Sequence, residues 1–347
     1  MQTLPKELTP ALLAWYAAGH RALPWRRDRE PYHVWLSEIM LQQTRVEAVK
    51  GYYERFLSAL PSIEALAACE EDRLTTLWEG LGYYTRVRNL QKAARLVQTQ
   101  YAGRFPSDYD ALCALPGIGA YTAGAIASIC FDQPTPAVDG NVLRVLARVT
   151  EDFSPVTQPR VRKAYAQALV PMYEAVPAER GTLTQALMEL GACVCIPNGQ
   201  PRCNVCPLRM LCRAQASGSW DTLPVKEAKK PRRQEEKTVF FLQAGQQYAV
   251  RRRAGQGLLA GLWELPNVEG LLAAQEALQQ VEQWGLAPQS VKKTLERTHV
   301  FTHIEWKMRC YYLSVDAPAG AFVWVDGARS EQDIALPTAF RMFWQPE

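Results

Sequence analysis

Residues 115–141 read LPGIGAYTAGAIASICFDQPTPAVDGN, and they are the part of the sequence most informative about the fold. Its first five residues predict a tight turn between two helices, the first with Ser107 as its N-cap and the second over 120–131. Gly117 and Gly119 allow the backbone to turn sharply and leave N–H groups uncovered where the second helix begins. Such groups bind the oxygens of anions, so both glycines are candidates for binding phosphate.

Asp139 begins the next predicted helix, NVLRVLARV. By itself, an Asp at the start of a helix is most often an ordinary N-cap. The combination of LPGIG, a helix of small residues and VDGNV before Arg144 resembles the helix–hairpin–helix DNA glycosylase superfamily. This resemblance implies that Asp139 is catalytic, that Asn141 orients the reacting groups by hydrogen bonds, and that Gly117 and Gly119 bind DNA phosphates.

The composition sets limits on the kind of protein. The chain has 347 residues, of which 48% are hydrophobic and 21% charged, and its length predicts about two globular domains. The net charge of +4 is compatible with a polyanionic partner but is too small to establish one. No apolar run reaches the ~20 residues that span a bilayer, and the first residues are not typical of a signal peptide. We therefore expect a cytoplasmic protein.

A second candidate carboxyl group lies in a predicted helix that begins near Val34 and runs to Phe56, with most of its apolar residues packed. Glu38 lies among these apolar residues, and the residues alone leave two interpretations open. Its carboxylate is either solvated or bonded to a neighbouring helix end, or it is partly desolvated. In the second case its pKa is raised, and it can deliver a proton near neutral pH.

The stretch WLSEIMLQQT, which contains Glu38, resembles the signature of the MutY-type adenine DNA glycosylases. In that family the glutamate protonates N7 of an adenine flipped out of the duplex, which implies this role for Glu38. The family's QQT segment inserts into the base stack, so Gln43 is implied as a wedge with Gln42 beside it. Further residues match positions that line or support the base pocket: Arg21, Trp25, Arg26, Leu41, Val46, Gln185 and Met188.

The stretch GLGYY precedes a basic helix and contains Tyr83. An aromatic side chain on a loop beside basic residues suits either intercalation into DNA or a domain interface. The stretch is similar to a turn of the same family whose first tyrosine stacks into the duplex beside the lesion. The resemblance implies that role for Tyr83.

Position 121 distinguishes two kinds of glycosylase. Bifunctional relatives such as endonuclease III carry a lysine in the pattern LPGxGxKT, and this lysine forms a Schiff base with the sugar. This chain has Tyr121 at that position, and Leu143 stands where some relatives have another lysine. The resemblance therefore implies a monofunctional glycosylase in which Tyr121 lies against the reacting base or sugar.

Cys195, Cys203, Cys206 and Cys212 read C-x7-C-x2-C-x5-C. This spacing indicates a metal site in a reducing compartment, and both zinc and a [4Fe–4S] cluster accept four thiolates. The resemblance implies the [4Fe–4S] cluster, because the family has its cluster loop here. The first gap is one residue longer than is usual in the family. Since Cys193 lies just before it, the first ligand is either Cys195 or Cys193.

The composition shifts to Pro, Lys, Arg and Glu over 217–236, which predicts a linker between domains at 1–216 and 237–347. Strands and a helix near 271–284 predict an α+β second domain. Its GLLAGLWELP stretch resembles the Nudix fold, which is the fold of the MutY C-terminal domain. Because only Glu282 remains of the acidic Nudix pattern, we expect recognition here rather than pyrophosphohydrolase chemistry.

Phe301, Thr302 and His303 lie on a predicted loop between two strands of the second domain. From the residues alone, His303 is typical of a strand-end histidine that faces water. The three residues resemble the family's F-S-H motif, which touches the oxidised guanine opposite the adenine. The resemblance therefore implies that this loop recognises 8-oxoguanine.

These motifs extend over nearly the whole chain. They predict an all-α helix–hairpin–helix glycosylase domain with a cluster loop at 195–212, followed by an α+β Nudix-like domain. The expected activity is hydrolysis of the N-glycosyl bond of adenine mispaired with 8-oxoguanine or guanine in base excision repair. We expect a monomer, associated with the nucleoid rather than a membrane, that binds double-stranded DNA. The alternatives are an endonuclease III-like glycosylase/lyase, a non-catalytic metal-containing DNA-binding protein and a Nudix hydrolase of oxidised nucleotides.

Overall fold

The structure is a computed structural model that describes residues 3–228, 231–327 and 334–346. Lys229 and Lys230, which belong to the predicted linker, lie outside the described residues. Every helix in these ranges is too short or too polar to cross a lipid bilayer. The chain forms two compact units, which are described separately below.

One unit comprises Met1–Ala68 and Arg88–Ala228, and the other comprises Cys69–Val87 and Lys229–Glu347. The first unit is helical, and the second is built on a mixed sheet. This is the fold class predicted above, helical first and α+β second. The domain limits predicted from composition remain a prediction, and the first strand begins at Arg233, inside the range predicted as a linker.

The helices follow the predicted order in most places. In chain order they are α1 (Leu8–Ala18), α2 (Pro31–Met40), α3 (Val46–Ala59), α4 (Ile63–Ala68), α5 (Glu71–Leu77), α6 (Thr85–Gln100), α7 (Tyr109–Cys113), α8 (Ala120–Phe131), α9 (Gly140–Thr150), α10 (Pro159–Glu174), α11 (Arg180–Cys193), α12 (Arg213–Ser217), α13 (Ala274–Gln283) and α14 (Thr338–Arg341). Two short 3-10 turns, Cys203–Val205 and Arg209–Leu211, shape the cysteine loop.

The predicted turn joins α7 to α8. The N-cap prediction for α7 was wrong: the helix begins one residue later than Ser107 allows, because the Asp108 carboxylate accepts the Ala111 N–H at 2.8 Å. Gly117 has a φ of +77°, and a Cβ there would lie 2.8 Å from Cβ of Asn89. Glycine is therefore required at this position, both for its φ and for the space.

The predicted helix over 34–56 is in fact two helices, α2 and α3. Gln43 adopts a left-handed backbone with a φ of +60°, which an α-helix cannot continue through. The chain turns there and restarts as α3 at Val46. Further along the chain, α11 begins at Arg180 with Glu179 before it.

The core of the first unit surrounds α9. Every residue of α9 from Val142 to Thr150 is buried, and its apolar side chains pack with those of α1, α10 and α11. α8 is buried from Thr122 to Ile129 and packs against α2, α7 and α11. Its small side chains allow this close approach, so the starts of α8 and α9 are held next to α2 and α11.

The second unit contains a mixed sheet with strand order β3-β2-β1-β6-β5, in which β4 also pairs with β1 and β7 with β2. The strands are β1 (Arg233–Ala244), β2 (Gln247–Arg252), β3 (Trp263–Glu264), β4 (Asn267–Glu269), β5 (Pro288–Val300), β6 (Ile304–Val315) and β7 (Val323–Asp326). β1 and β6 run parallel, and the other pairs are antiparallel. Val239 and Phe241 of β1 face one apolar cluster, and Phe240 and Leu242 face a second, so both faces of the central strand are buried.

Candidate active site and cysteine loop

A cavity of about 670 Å³ lies within the first unit, among α2, α8, α9 and α11. This volume suits a small organic ligand such as a nucleobase. Of the residues predicted from sequence, it brings together Arg21, Trp25, Arg26, Glu38, Leu41, Gln42, Gln43, Val46, Tyr121, Asp139, Asn141, Gln185 and Met188. Its other lining residues are Leu23, Val34, Ser37, Thr44, Ile129, Val138, Gly140, Arg162 and Ala192.

Glu38 lies near the end of α2 and is only 7% exposed. Burial raises its pKa to about 7; the hydrogen bond that the Tyr121 hydroxyl donates to Oε2 opposes this rise, and the charge of Asp139 adds to it. Burial likewise raises the pKa of Tyr121 well above its usual value, so the hydroxyl remains a donor. Glu38 is therefore a carboxyl group that can exchange a proton near neutral pH.

Asp139 is the N-cap of α9, as the sequence predicted. Its Oδ1 accepts the backbone N–H of Val142 at 2.7 Å, and its Oδ2 accepts the Asn141 amide at 2.7 Å. Burial raises the pKa of Asp139, whereas these two hydrogen bonds and the charge of Arg144 favour the carboxylate. Both oxygens of Asp139 thus accept donors that stabilise an anion, an environment different from that of Glu38.

Arg144 links this end of α9 to the cysteine loop. Its guanidinium donates to Oδ1 of Asn141 at 2.8 Å, to the Gly191 carbonyl at 2.8 Å and to the Cys195 carbonyl at 2.7 Å. Since the Asn141 amide in turn donates to Asp139, one chain of hydrogen bonds runs from the loop to the carboxylate. In the sequence Arg144 stands out only as part of the VDGNV motif region, which does not indicate this role.

Glu189 of α11 binds two arginines of the pocket and was not among the residues predicted from sequence. Its carboxylate accepts Nε and Nη2 of Arg21 at 2.7 and 2.8 Å and Nη2 of Arg26 at 2.8 Å. Burial alone would raise the pKa of Glu189, but the two arginines hold it at about 2. The sequence does contain a signal that Glu189 is buried and paired, because it is the one acidic residue in the apolar stretch GTLTQALMELGACVC.

The cysteine loop lies at the far end of α9 and α11. The side chains of Cys195, Cys203, Cys206 and Cys212 line one small cavity, and Nη1 of Arg148 lies 3.3 Å from Sγ of Cys195. Cys193 lies elsewhere, with its Sγ 3.5 Å from Oε1 of Glu189. Within the described ranges, no three His, Cys, Asp or Glu side chains form a ready-made site for a single metal ion.

The two hairpin glycines lie at the start of α8, outside the cavity. Both are exposed, and Gly119 is the N-cap of α8. A Cβ placed on Gly119 would meet nothing within 4 Å, so the space beside this helix start is open. This arrangement is compatible with the phosphate binding predicted from sequence.

Tyr83, Phe301, Thr302 and His303 belong to the second unit rather than to the cavity. Tyr83 is 48% exposed, and its hydroxyl lies 2.9 Å from Oγ1 of Thr302. Phe301 packs edge-on against Trp306, whereas Thr302 and His303 are exposed on the turn between β5 and β6. Within this unit, the structure therefore brings together two motifs that are far apart in the chain.

Comparison with known protein families finds a different family for each of two parts of the chain. Residues 36–167 match the model of the HhH-GPD superfamily base excision DNA repair proteins, and residues 238–345 match that of the NUDIX domain. Among solved structures, the first part is similar to a thermostable thymine-DNA glycosylase, with a TM-score of 0.54 and 25% identity. That similarity covers 61% of this chain and 96% of the other.

Curated relatives extend over nearly the whole chain. An adenine DNA glycosylase of Mus musculus is 36% identical, covering 96% of this chain and 77% of the relative. An adenine DNA glycosylase of Homo sapiens is 37% identical, covering 92% and 69%. With its helical base excision repair domain and its Nudix-like sheet domain, the chain belongs to the adenine DNA glycosylase family.

Proposed function

We propose that this enzyme removes adenine opposite 8-oxoguanine or guanine, and that it does so by hydrolysis without cleaving the DNA strand. The observation that carries this proposal is the pair of carboxyl groups, Glu38 and Asp139, on one cavity that is large enough to hold a nucleobase. Burial raises the pKa of both carboxyl groups, but Asp139 accepts two hydrogen bonds and lies near the charge of Arg144, which favour its anion, whereas Glu38 accepts one from Tyr121.

Glu38 acts as the general acid. Its pKa of about 7 leaves a large protonated fraction near neutral pH, and Tyr121 donates to one oxygen, which leaves the other for the base. A proton delivered to N7 of adenine makes the base a better leaving group. Tyr121 thus holds the acid in position beside the reacting base.

Asp139 stabilises the positive charge that develops on the sugar when the bond to the base breaks, or attacks the sugar as a retaining glycosidase does. Its carboxylate lies at the N-terminus of α9, where the helix dipole favours a negative charge. Asn141 fixes its orientation through the 2.7 Å hydrogen bond. Acid and anion then act on the two ends of the same N-glycosidic bond.

An adenine within a duplex cannot reach this cavity, so it must be flipped out at a cost of a few kcal/mol, less when it is mispaired. Gln43 and Tyr83 act as wedges in the vacated stack, with Gln42 beside Gln43. Inside the cavity, apolar and polar walls hold the base: Arg21, Trp25, Arg26, Leu41, Val46, Gln185 and Met188. Outside it, Gly117 and Gly119 bind DNA phosphates.

We expect no strand cleavage because the cavity offers no amine nucleophile among the described residues. In the described part of the chain no lysine lines the cavity, and Tyr121 stands where a bifunctional enzyme has one. A Schiff base therefore has no donor at the site.

The residues that recognise 8-oxoguanine are Phe301, Thr302 and His303. The hydrogen bond between the Tyr83 and Thr302 hydroxyls supports this role, because it joins the proposed wedge to the proposed lesion sensor within the second unit. We further propose that the enzyme acts as a monomer on double-stranded DNA, in the cytoplasm and associated with the nucleoid.

The cysteine loop fits a [4Fe–4S] cluster, because four thiols and no other metal-binding side chain line its cavity. Cys195, Cys203, Cys206 and Cys212 would be the ligands. Cys193 is left out of this proposed set because its sulfur lies 3.5 Å from Oε1 of Glu189. The cluster would crosslink the loop, while Arg144 and Arg148 attach the loop to α9.

The experiment that tests this function is incubation with duplexes that carry A:8-oxoG, A:G or A:T, followed by alkali to cleave at abasic sites. We expect cleavage with the first two duplexes only after alkali, and little with A:T. Strand cleavage without alkali, together with borohydride trapping of a covalent adduct, would instead favour the bifunctional alternative. No base release at all would favour a DNA-binding protein, and hydrolysis of free oxidised nucleotides a Nudix hydrolase.

A further inference from the structure

The carboxamide of Gln185 is held by a residue that the function above does not use. The Tyr16 hydroxyl lies 2.6 Å from Oε1 of Gln185, although the two residues are 169 positions apart in the chain. Tyr16 is 5% exposed, whereas Gln185 is half-buried and lines the cavity. Tyr16 thus contacts Gln185 from the protein side, and Gln185 lines the cavity on its other side.

The Tyr16 ring has little freedom to move. It stacks on His20 with ring centroids 4.1 Å apart and an angle of 6° between the planes. The guanidinium of Arg26 lies 5.7 Å from the centroid of the Tyr16 ring, and Glu189 in turn holds Arg26. These contacts fix where the hydroxyl lies.

The hydroxyl of Tyr16 must donate its proton to Gln185. Burial raises the pKa of Tyr16, so the hydroxyl is protonated at neutral pH. Within the described residues, Oε1 of Gln185 is the acceptor that the structure provides for it, and a buried hydroxyl proton without an acceptor costs roughly 1–3 kcal/mol. This sets the orientation of the amide: Oε1 faces Tyr16, and the Nε2 donors face the cavity.

We propose that Tyr16 is a positioning residue that makes Gln185 a donor-only contact, so that the pocket requires a hydrogen-bond acceptor on the base edge that Gln185 reaches. This inference rests on the proposed function. Adenine has the ring acceptors N1, N3 and N7, and N7 is assigned to Glu38. Guanine carries N1–H where adenine has the N1 acceptor, so a donor fixed toward that position disfavours guanine.

The test compares adenine with 1-deazaadenine and 3-deazaadenine, each of which lacks one ring acceptor, in single-turnover base release opposite 8-oxoguanine. For the wild-type enzyme we expect one of the two analogues to be released at least about fivefold more slowly than adenine. In Tyr16→Phe the carboxamide of Gln185 can rotate by 180°. The ratio of the adenine rate to the analogue rate should therefore fall to near one.

Two further variants make this result specific. Gln185→Glu still accepts from Tyr16 but presents no donor, so it should lose the same analogue penalty even if Tyr16→Phe folds poorly. Tyr165→Phe is the matched control: Tyr165 packs in the same apolar cluster, and its hydroxyl bonds to Asp152 at 3.0 Å, away from the cavity. It should keep the wild-type ratio.

The inference is overturned if the wild-type enzyme shows no penalty with either analogue, or if the penalty persists in Tyr16→Phe or Gln185→Glu. A uniform loss of rate on all three bases in Tyr16→Phe, with the ratio kept, would also overturn it and would assign Tyr16 a structural role. If the wild-type enzyme releases no adenine at all, the proposed function itself fails, and that outcome is distinct from the others.

Discussion

At the scale of single residues, the environment of Glu38 predicts the pH dependence of the reaction. Its pKa is raised to about 7, and the proposed general acid acts in its protonated form, so we expect activity to be lost as the pH rises through that value. At subsaturating enzyme, where the rate reflects the protonation state of the free enzyme, the rate of base release should fall about tenfold per pH unit above roughly pH 8. The measurement is single-turnover base release at subsaturating enzyme from about pH 5 to about pH 9.

DNA binding over the same pH range is the control for this prediction, because a loss of affinity would imitate a loss of the acid. A rate that rises steadily with pH across this range would contradict the assignment of Glu38, since it would indicate a group that must lose its proton.

The residues that sequence could and could not predict differ in the range of their contacts. Glu38 and Asp139 lie in short motifs, and Asp139 is an N-cap, which local sequence specifies. Glu189 binds Arg21 and Arg26, more than 160 positions away in the chain, and Tyr16 binds Gln185 across 169. No local pattern specifies these long-range pairs. They depend on how α11 packs against α1 and against the residues that follow α1.

At the scale of helices and loops, the approach of α11 to α9 depends on Gly191. A Cβ at this position would lie 2.5 Å from Cβ of Asn141, so Gly191→Ala must push Asn141 or the whole helix away. We expect a loss of about 1–3 kcal/mol in the free energy of unfolding and a slower base release. Chemical denaturation and single-turnover kinetics measure the two effects.

Gly51→Ala is the matched control, because Gly51 lies within α3 and a Cβ there would meet nothing within 4 Å. It should be neutral or stabilise by up to about 1 kcal/mol. Equal effects of the two substitutions would show that α9 and α11 are not in the close contact described above.

The cysteine loop gives a second prediction at this scale. Cys195→Ser should abolish the visible absorbance and the bound iron and sulfide, because Cys195 is one of the four thiols around the cavity. Cys193→Ser should keep them, since its sulfur faces Glu189. The reverse pattern would assign the first ligand to Cys193. Sequence spacing does not choose between these two residues, because Cys193 and Cys195 are only two positions apart and either can begin the cysteine pattern.

The break between α2 and α3 shows what sequence periodicity misses. The apolar pattern continues from Val34 past Val46, which predicts one helix. The left-handed Gln43 interrupts it and exposes the turn that carries the proposed wedge. Non-glycine residues adopt this conformation at a cost, and such costs are commonly found at functional sites.

At the scale of the whole molecule, the helical unit contains the proposed catalytic cavity, and the sheet unit contains the proposed lesion sensor. Thr302→Ala removes the hydroxyl that bonds to Tyr83 and leaves the cavity residues intact. It should lower the preference for A:8-oxoG over A:G several-fold while the rate at saturating enzyme changes little. The ratio of the two apparent affinities measures this.

Thr298→Ala, at an exposed position of β5, is the control for Thr302→Ala and should keep the preference. An unchanged preference in Thr302→Ala would remove Thr302 from the lesion sensor.

The central claim is that Glu38 and Asp139 act together on one N-glycosidic bond. The direct measurement is single-turnover release of adenine from an A:8-oxoG duplex by Glu38→Gln and Asp139→Asn, with Glu54→Gln and Asp221→Asn as exposed controls. We predict that each active-site substitution lowers the rate at least about 100-fold, with DNA binding retained and the controls unchanged. Near-wild-type base release by either active-site variant would contradict the account.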